Sequence, residues 1–438
     1  MTKTGSRWLK LSLTPSQISQ TVAALRCGLD KTLWYGDRAG HCRDLVKAEP
    51  ARYENGAVKW ETLPFDRPRA QGLYKALLGP FEDLIAGKHL LVVPDGALTR
   101  LPFGVLMVDE SSWLGTRQPI TVLPSVTSLT ALRGSAKASR ATKAYLAVAN
   151  PLLDGDPSTL VTEQQKQVLA KRVADARAKQ SCPTAAPATT APVETASLAE
   201  KLVQGFTGLF SRGAASADIE AVRKAPPLPE TRDEVCEVGR GLGAQEGDFL
   251  LGARATESAI KNLSEQGALA QHAILHFATH GVLAGQIKGS AEPGLVLTPP
   301  PKEMSDPEKL ARDDGYLTAS ETATLNLDAD WVILSACNTA AGSASGETGG
   351  GEALSGLARA FFYAGARALL VSHWEVDSKA TVDLATRAFA ELKGHPEIGR
   401  AEALRRSMVA LIGDGTSRTA HPAFWAPFVV VGEGGTAK

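Results

Sequence analysis

The stretch AILHFATHG, residues 273–281, begins as an apolar run and ends in small and polar residues. Further along, WVILSACNTAAG at residues 331–342 repeats that design. Short apolar runs closed by turn-forming residues read as strands buried on both faces, the kind that parallel sheets use. Runs of the same type recur at HLLVVPDG (89–96), ITVLPS (120–125), YLAVAN (145–150), FLLG (249–252), LVLTP (295–299), ALLVSHW (368–374) and FVVVG (428–432). Between them lie segments with helical spacing, among them TRDEVCEVGRGL (231–242), TESAIKNLSEQ (256–266), EALSGLARAFFYAG (352–365), SKATVDLATRAFAELKG (378–394) and GRAEALRRSMVALIG (399–413). In the helix from 378, Val382, Ala385, Phe389 and Leu392 share a face, Ser378 is the expected N-cap and Gly394 the expected stop. Strands alternating with helices predict an α/β fold, a parallel sheet with helices on both faces.

At 438 residues the chain exceeds what one core usually holds. Residues 1–70 read as a helical lead-in. Within it LTPSQISQTVAALRCGLD (13–30) is a helix capped near Thr14 or Ser16; just after it LYKALLGPFEDLIAG (73–87) is a second helix interrupted by Pro80. Residues 71–433 read as one domain with an insertion at about 153–225. That insertion holds a charged helical pattern, EQQKQVLAKRVADARAKQ (163–180), and a low-complexity run, SCPTAAPATTAPVETAS (181–197). Lys+Arg and Asp+Glu are both 47, so the chain lacks the basic excess of a nucleic-acid binder. Five widely spaced cysteines (Cys27, Cys42, Cys182, Cys236, Cys337) without a C-x-x-C predict neither a disulfide framework nor a zinc site. No secretory h-region and no run of about 18 apolar residues is visible, so no membrane span is expected and the cytoplasm is the expected location.

In an open α/β sheet functional groups gather at the carboxyl ends of the strands. His280 and Gly281 stand at one such end and Cys337 at another. A cysteine before a helix amino terminus gains thiolate character, and a histidine beside it serves as base. Gly281 allows a sharp turn, and the backbone N–H groups of Gly281 and Cys337 are candidate oxyanion donors. No third orienting acid is evident. His276 and His280 are four apart, but on a strand that spacing does not make a metal pair, so neither a metal nor another cofactor is expected. The loop GSASGETGGG (342–351) lacks the G-K-[ST] of a phosphate loop, and no G-x-S-x-G elbow occurs. His373 also lies at a strand end, where a structural role is expected.

These segments resemble the CHAT domain, a caspase-like domain often attached to tetratricopeptide repeats. The resemblance is carried, in order, by VVPDGALTRLPFGVL (92–106), LAVANP (146–151), LPETRDEV (228–235), HFATHG (276–281), GYLTASE (315–321), LSACNTAAG (334–342), GEALSGLARAFFYAGARALLVSHWEVD (351–377) and HPAFWAPFVVVG (421–432). It implies a caspase–separase fold, a three-layer sandwich around a mostly parallel sheet. It also implies peptide-bond hydrolysis by a metal-free dyad of His280 and Cys337, in a bacterial-type regulatory or defence pathway. The pair is 57 positions apart (337 − 280), close to the spacing of about 50 in caspases. The motif is S-A-C where caspases have Q-A-C, which separates this chain from true caspases.

Specificity and partners follow from the same likeness. Ser335 shares a strand face with Cys337 and is expected to line the pocket for the residue before the cut. Asp154, after the strand ending in Asn150, is expected to select a basic residue there. The basic residues from Lys166 to Lys179 would then offer a self-cleavage site, against the plainer reading of a solvated helix. The expected partners are a protein or peptide substrate and a regulatory or activating protein. The alternatives are a catalytically silent scaffold for protein–protein signalling and, behind it, a small-molecule hydrolase.

Overall fold

The structure, a computed structural model, describes residues 5–36, 38–53, 56–135, 139–183, 217–282, 284–335 and 350–435; at residues 129, 131, 132, 134, 135, 350–355 and 417 it describes the backbone alone. Eleven strands are present among these residues: β1 (Leu90–Val92), β2 (Ile120–Val122), β3 (Lys143–Pro151), β4 (Phe249–Gly252), β5 (His272–Ala278), β6 (Gly281–Val282), β7 (Gly294–Val296), β8 (Tyr316–Thr318), β9 (Trp331–Leu334), β10 (Ala368–Ser372) and β11 (Phe428–Gly432). Eight form one sheet in the order β1-β2-β11-β10-β9-β5-β3-β4, and β6, β7 and β8 form a small antiparallel sheet. The helices used below are α1 (Pro15–Cys27), α2 (Arg38–Val46), α3 (Arg67–Leu77), α4 (Glu163–Ala178), α5 (Glu230–Gly241), α6 (Glu257–Glu265), α7 (Gly350–Ala364), α8 (Ser378–Gly394) and α9 (Arg400–Gly413).

Alternation along the central strands builds the two cores. Tyr145, Ala147, Ala149, Ile274, Ile333 and Leu370 pack on one face with residues of α1, α3, α5, α8 and α9. Leu146, Val148, Leu275, Val332, Leu334 and Leu369 pack on the other with α6 and α7. The result is a three-layer α/β sandwich, as the strand–helix alternation predicts. The charged insertion segment is held as well: α4 buries Leu169 and Ala176, and the Asn150 amide donates to the carbonyls of Ala176 and Lys179, 2.8 Å each. Those carbonyls sit at the end of α4, where a helix has no partners of its own. Asn150 adopts φ 50°, a backbone state asparagine tolerates better than most residues.

The sheet is mostly parallel, as the resemblance implies, and β11 runs antiparallel to β10. One helix between two strands returns the chain to its starting end, whereas α8 and α9 are two, so the next strand enters from the opposite end. Several expectations are corrected. β1 is an edge strand with Leu91 41% exposed, not a strand buried on both faces. Asp377, not Ser378, caps α8 by accepting from Ala380 N, and Gly394 is its last residue with His395 as C-cap. The segment LVLTP joins the small antiparallel sheet as β7, not the main sheet. Two disulfides form where none was expected, Cys27–Cys42 and Cys182–Cys236, each with Cα atoms 5.6 Å apart. The first joins α1 to α2, and the second ties the residue chain after α4 to α5. Pairing depends on that spatial approach, which sequence spacing does not reveal.

Candidate active site

β5 and β9 are neighbours in the sheet and run parallel, with Phe277 opposite Leu334. His280 is the third residue past Phe277 and Cys337 the third past Leu334. The described backbone of the second strand stops at Ser335, whose N–H donates to Phe277 O at 3.2 Å. Cys337 itself lies outside the described residues. The two disulfides use four of the five cysteines, so Cys337 is the one they leave over.

His280 is buried, 8% exposed, and locked by its backbone and its ring. Its carbonyl accepts from Val296 N at 2.9 Å, and the neighbouring Thr279 hydroxyl donates to Val296 O. Its Nε2 lies 2.7 Å from the carbonyl oxygen of Pro226. A carbonyl only accepts, so Nε2 carries the proton, and in the neutral ring Nδ1 keeps the lone pair. Burial is the largest influence and holds His280 below the usual histidine pKa; the Pro226 carbonyl and Glu230 oppose it, and Arg172 adds to it. The ring is therefore a neutral base near pH 7 with its tautomer set by a backbone group. The orienting partner absent from the sequence is thus a carbonyl 54 residues upstream, supplied by the stiff run Pro226–Pro227–Leu228–Pro229. A main-chain oxygen has no side-chain signature, and only the density of prolines marks a segment built to hold one in place.

Gly281 opens β6 in extended pairing with Leu295 instead of making the sharp turn foreseen for it. Ser335 is 7% exposed, and its Oγ lies 2.9 Å from His276 Nε2. Asp154 sits in the turn after β3, where its N–H donates to Arg223 O. Its carboxylate pairs with Arg177 at 2.9 Å and stands 3.7 Å from Lys302. Asp154 lines a cleft of about 570 Å³ at the carboxyl ends of β3 and β4, walled by Leu152, Thr298, Pro299, Lys302 and Met304. The segment 223–226 links this cleft to the histidine: Gly155 N donates to Ala225 O, and the next carbonyl is the one that holds His280. Three basic residues in and just after α4 are engaged. Arg172 donates to Glu230 and Pro227 O, Arg177 to Asp154, and Lys179 to Asp233. A regular helix with these anchors is not the extended form a peptidase grips, which favours the plain helix reading over self-cleavage there.

His373 is fully inside, its carbonyl accepting from Arg26 Nη1 at 3.1 Å and its N–H donating to Pro427 O. Among the described residues no group of three or more His, Cys, Asp or Glu side chains is arranged to hold a metal ion. No described helix is long and apolar enough to cross a membrane.

The sequence profile of the CHAT domain matches residues 67–433. Over 238 residues, 47% of this chain, the sequence is 29% identical to tetratricopeptide repeat protein 28 of Mus musculus. The chain spans 9% of that protein's length.

Proposed function

The chain belongs to the CHAT domain family, and from that premise we propose that it is a cysteine endopeptidase acting through Cys337 and His280. His280 Nδ1 takes the thiol proton as Cys337 Sγ attacks the scissile carbonyl, and the backbone N–H groups of Gly281 and Cys337 receive the oxyanion. The tetrahedral adduct collapses, the C–N bond breaks, and His280 returns the proton to the leaving amine. Water, deprotonated by His280, then cleaves the thioester. Positioned acid–base catalysis contributes about 10²–10⁴-fold and one oxyanion donor about 10²–10³-fold. The observation that carries the reading is the 2.7 Å bond from His280 Nε2 to Pro226 O, which leaves a neutral ring nitrogen as base at the end of β5, beside the strand that leads to Cys337.

The finer assignments belong to the same proposal. Residues 71–433 are the peptidase domain, with 1–70 as lead-in and 153–225 as insertion. Ser335 and Asp154 border the substrate; a basic side chain reaching Asp154 would trade places with Arg177 and Lys302. A regulatory protein controls access, in keeping with a relative named for tetratricopeptide repeats. The two disulfides fit an oxidising compartment better than the cytoplasm.

The test is a search for new protein amino termini in a lysate exposed to wild type, Cys337→Ala or His280→Ala. Wild type is expected to generate a set of termini that both variants lose, by about 10³-fold or more in rate. Identical termini in all three samples would leave the chain a silent scaffold.

A further inference from the structure

Beneath the strand ends that lead to the dyad lies a buried polar group that takes no part in the bond and proton transfers proposed above. Tyr145 of β3, Glu234 of α5, His276 of β5 and Ser335 after β9 are all buried, none more than 7% exposed. The Tyr145 hydroxyl is 2.7 Å from His276 Nδ1 and 3.3 Å from Val235 O. On the other side of the ring, Ser335 Oγ is 2.9 Å and Glu234 Oε1 3.2 Å from Nε2. With the Tyr145 hydroxyl donating to Nδ1, Nε2 carries a proton and donates to Ser335 Oγ, while Glu234 Oε1 stands beside it without a hydrogen bond. Burial first, then Glu234, push the Tyr145 hydroxyl well above the usual tyrosine pKa, so it stays protonated and remains a donor.

The placement of the four groups is specific. His276 and His280 stand on one strand and its extension, four residues apart. Ser335 stands on the extension of the neighbouring strand, and Cys337 is two residues further along the sequence. The His276–Ser335 bond therefore cross-links the two chain segments just below the dyad. Glu234, from the helix layer, stands 3.2 Å from the ring that makes the cross-link. Burying a carboxylate and an imidazole in a hydrocarbon core carries a large desolvation cost, and apolar residues of similar size would fill the same space. Along β5 the neighbours on that face, Ile274 and Ala278, are apolar, so His276 interrupts an otherwise hydrocarbon surface.

We propose that Ser335, His276 and Glu234 are positioning residues that hold the root of the Cys337 segment in register with His280. The inference rests on the Cys337–His280 reading and deepens it. Ser335 acts through its hydroxyl on the neighbouring strand.

The test is the rate of Cys337 alkylation by iodoacetamide as a function of pH, with the full chain kept non-reduced so that the disulfides silence the other four cysteines. Wild type is expected to react at pH 7 faster than a free thiol of pKa about 8.5. His280→Ala should move the profile to the alkaline side. Ser335→Ala should slow alkylation at pH 7 on the order of tenfold or more, the scale of a misplaced reacting pair. Its melting temperature should move by only a few degrees. Ser335→Thr, which keeps the hydroxyl, should restore the rate, and Glu234→Gln should fall between. If His280→Ala shifts the profile but Ser335→Ala matches wild type, or Ser335→Thr fails to restore the rate, the positioning role is wrong and the dyad stands. If neither variant differs from wild type, the dyad reading falls and takes this inference with it.

Discussion

His280 and His373 show how burial sets the work of a histidine. Both rings sit inside and both are held below the ordinary pKa chiefly by burial, but their partners differ. His280 gives its one N–H to Pro226 O and keeps a lone pair for chemistry. His373 is pushed down to about 3 by burial, with Arg26 adding to the effect and a backbone bond at Arg100 opposing it. Its folded pKa is depressed, so the unfolded chain binds the extra proton as pH falls below about 6.5. The stability due to its neutral state is full above that pH and is lost progressively toward the folded value. At pH 5, 1.5 units below the unfolded pKa, that loss is about 2 kcal/mol. Urea unfolding at pH 7 and pH 5 should show wild type losing about that much more than His373→Gln; equal losses would mean the ring is accessible to protons in the fold.

At the scale of elements, the junctions of strand and helix decide more than the elements themselves. Between α7 and β10 the chain turns at Gly365 with φ 114°, and a Cβ there would lie 2.2 Å from Leu327 O. Gly365→Ala combines a disfavoured backbone state with a clash against main chain that has no room to yield. It should cost about 3 kcal/mol or more, read as a lowered urea midpoint or loss of soluble protein; a midpoint within error of wild type would show that the turn relaxes. Junctions are also where the sequence reading slipped. Apolar runs marked the core strands correctly, because Tyr145–Ala149, Ile274–Ala278 and Trp331–Leu334 are buried on both faces. The same signal overstated β1, since an edge strand needs one apolar face and the run HLLVV does not say which neighbours it will have. The direction of β11 depends on counting two helices, α8 and α9, after β10. Those helices were visible, but the reversal they impose is a property of their packing.

For the whole molecule, two cores on one sheet take up much of the chain's apolar content, within the 67–433 span that the family profile matches. The lead-in is part of that body: Val22, Leu25 and Leu29 enter the same core as the central strands. The strand-end rule singled out His280 and Cys337 because imidazole and thiol side chains are recognisable in a sequence. It was blind to the Pro226 carbonyl, and it took Ser335 as a pocket wall without the bond to His276. Both depend on contacts between segments far apart in the chain. The disulfides were hidden for the same reason, and they turn an odd cysteine count into a clear assignment of the remaining thiol. That thiol makes the central claim directly measurable with a peptidyl chloromethyl ketone library, whose warhead alkylates a nucleophilic cysteine beside a catalytic histidine. Tandem mass spectrometry of the non-reduced protein should find one adduct, on Cys337, forming at least about 10²-fold more slowly in His280→Ala. Adducts forming at equal rates in both proteins, or none on Cys337, would contradict a His280-activated nucleophile.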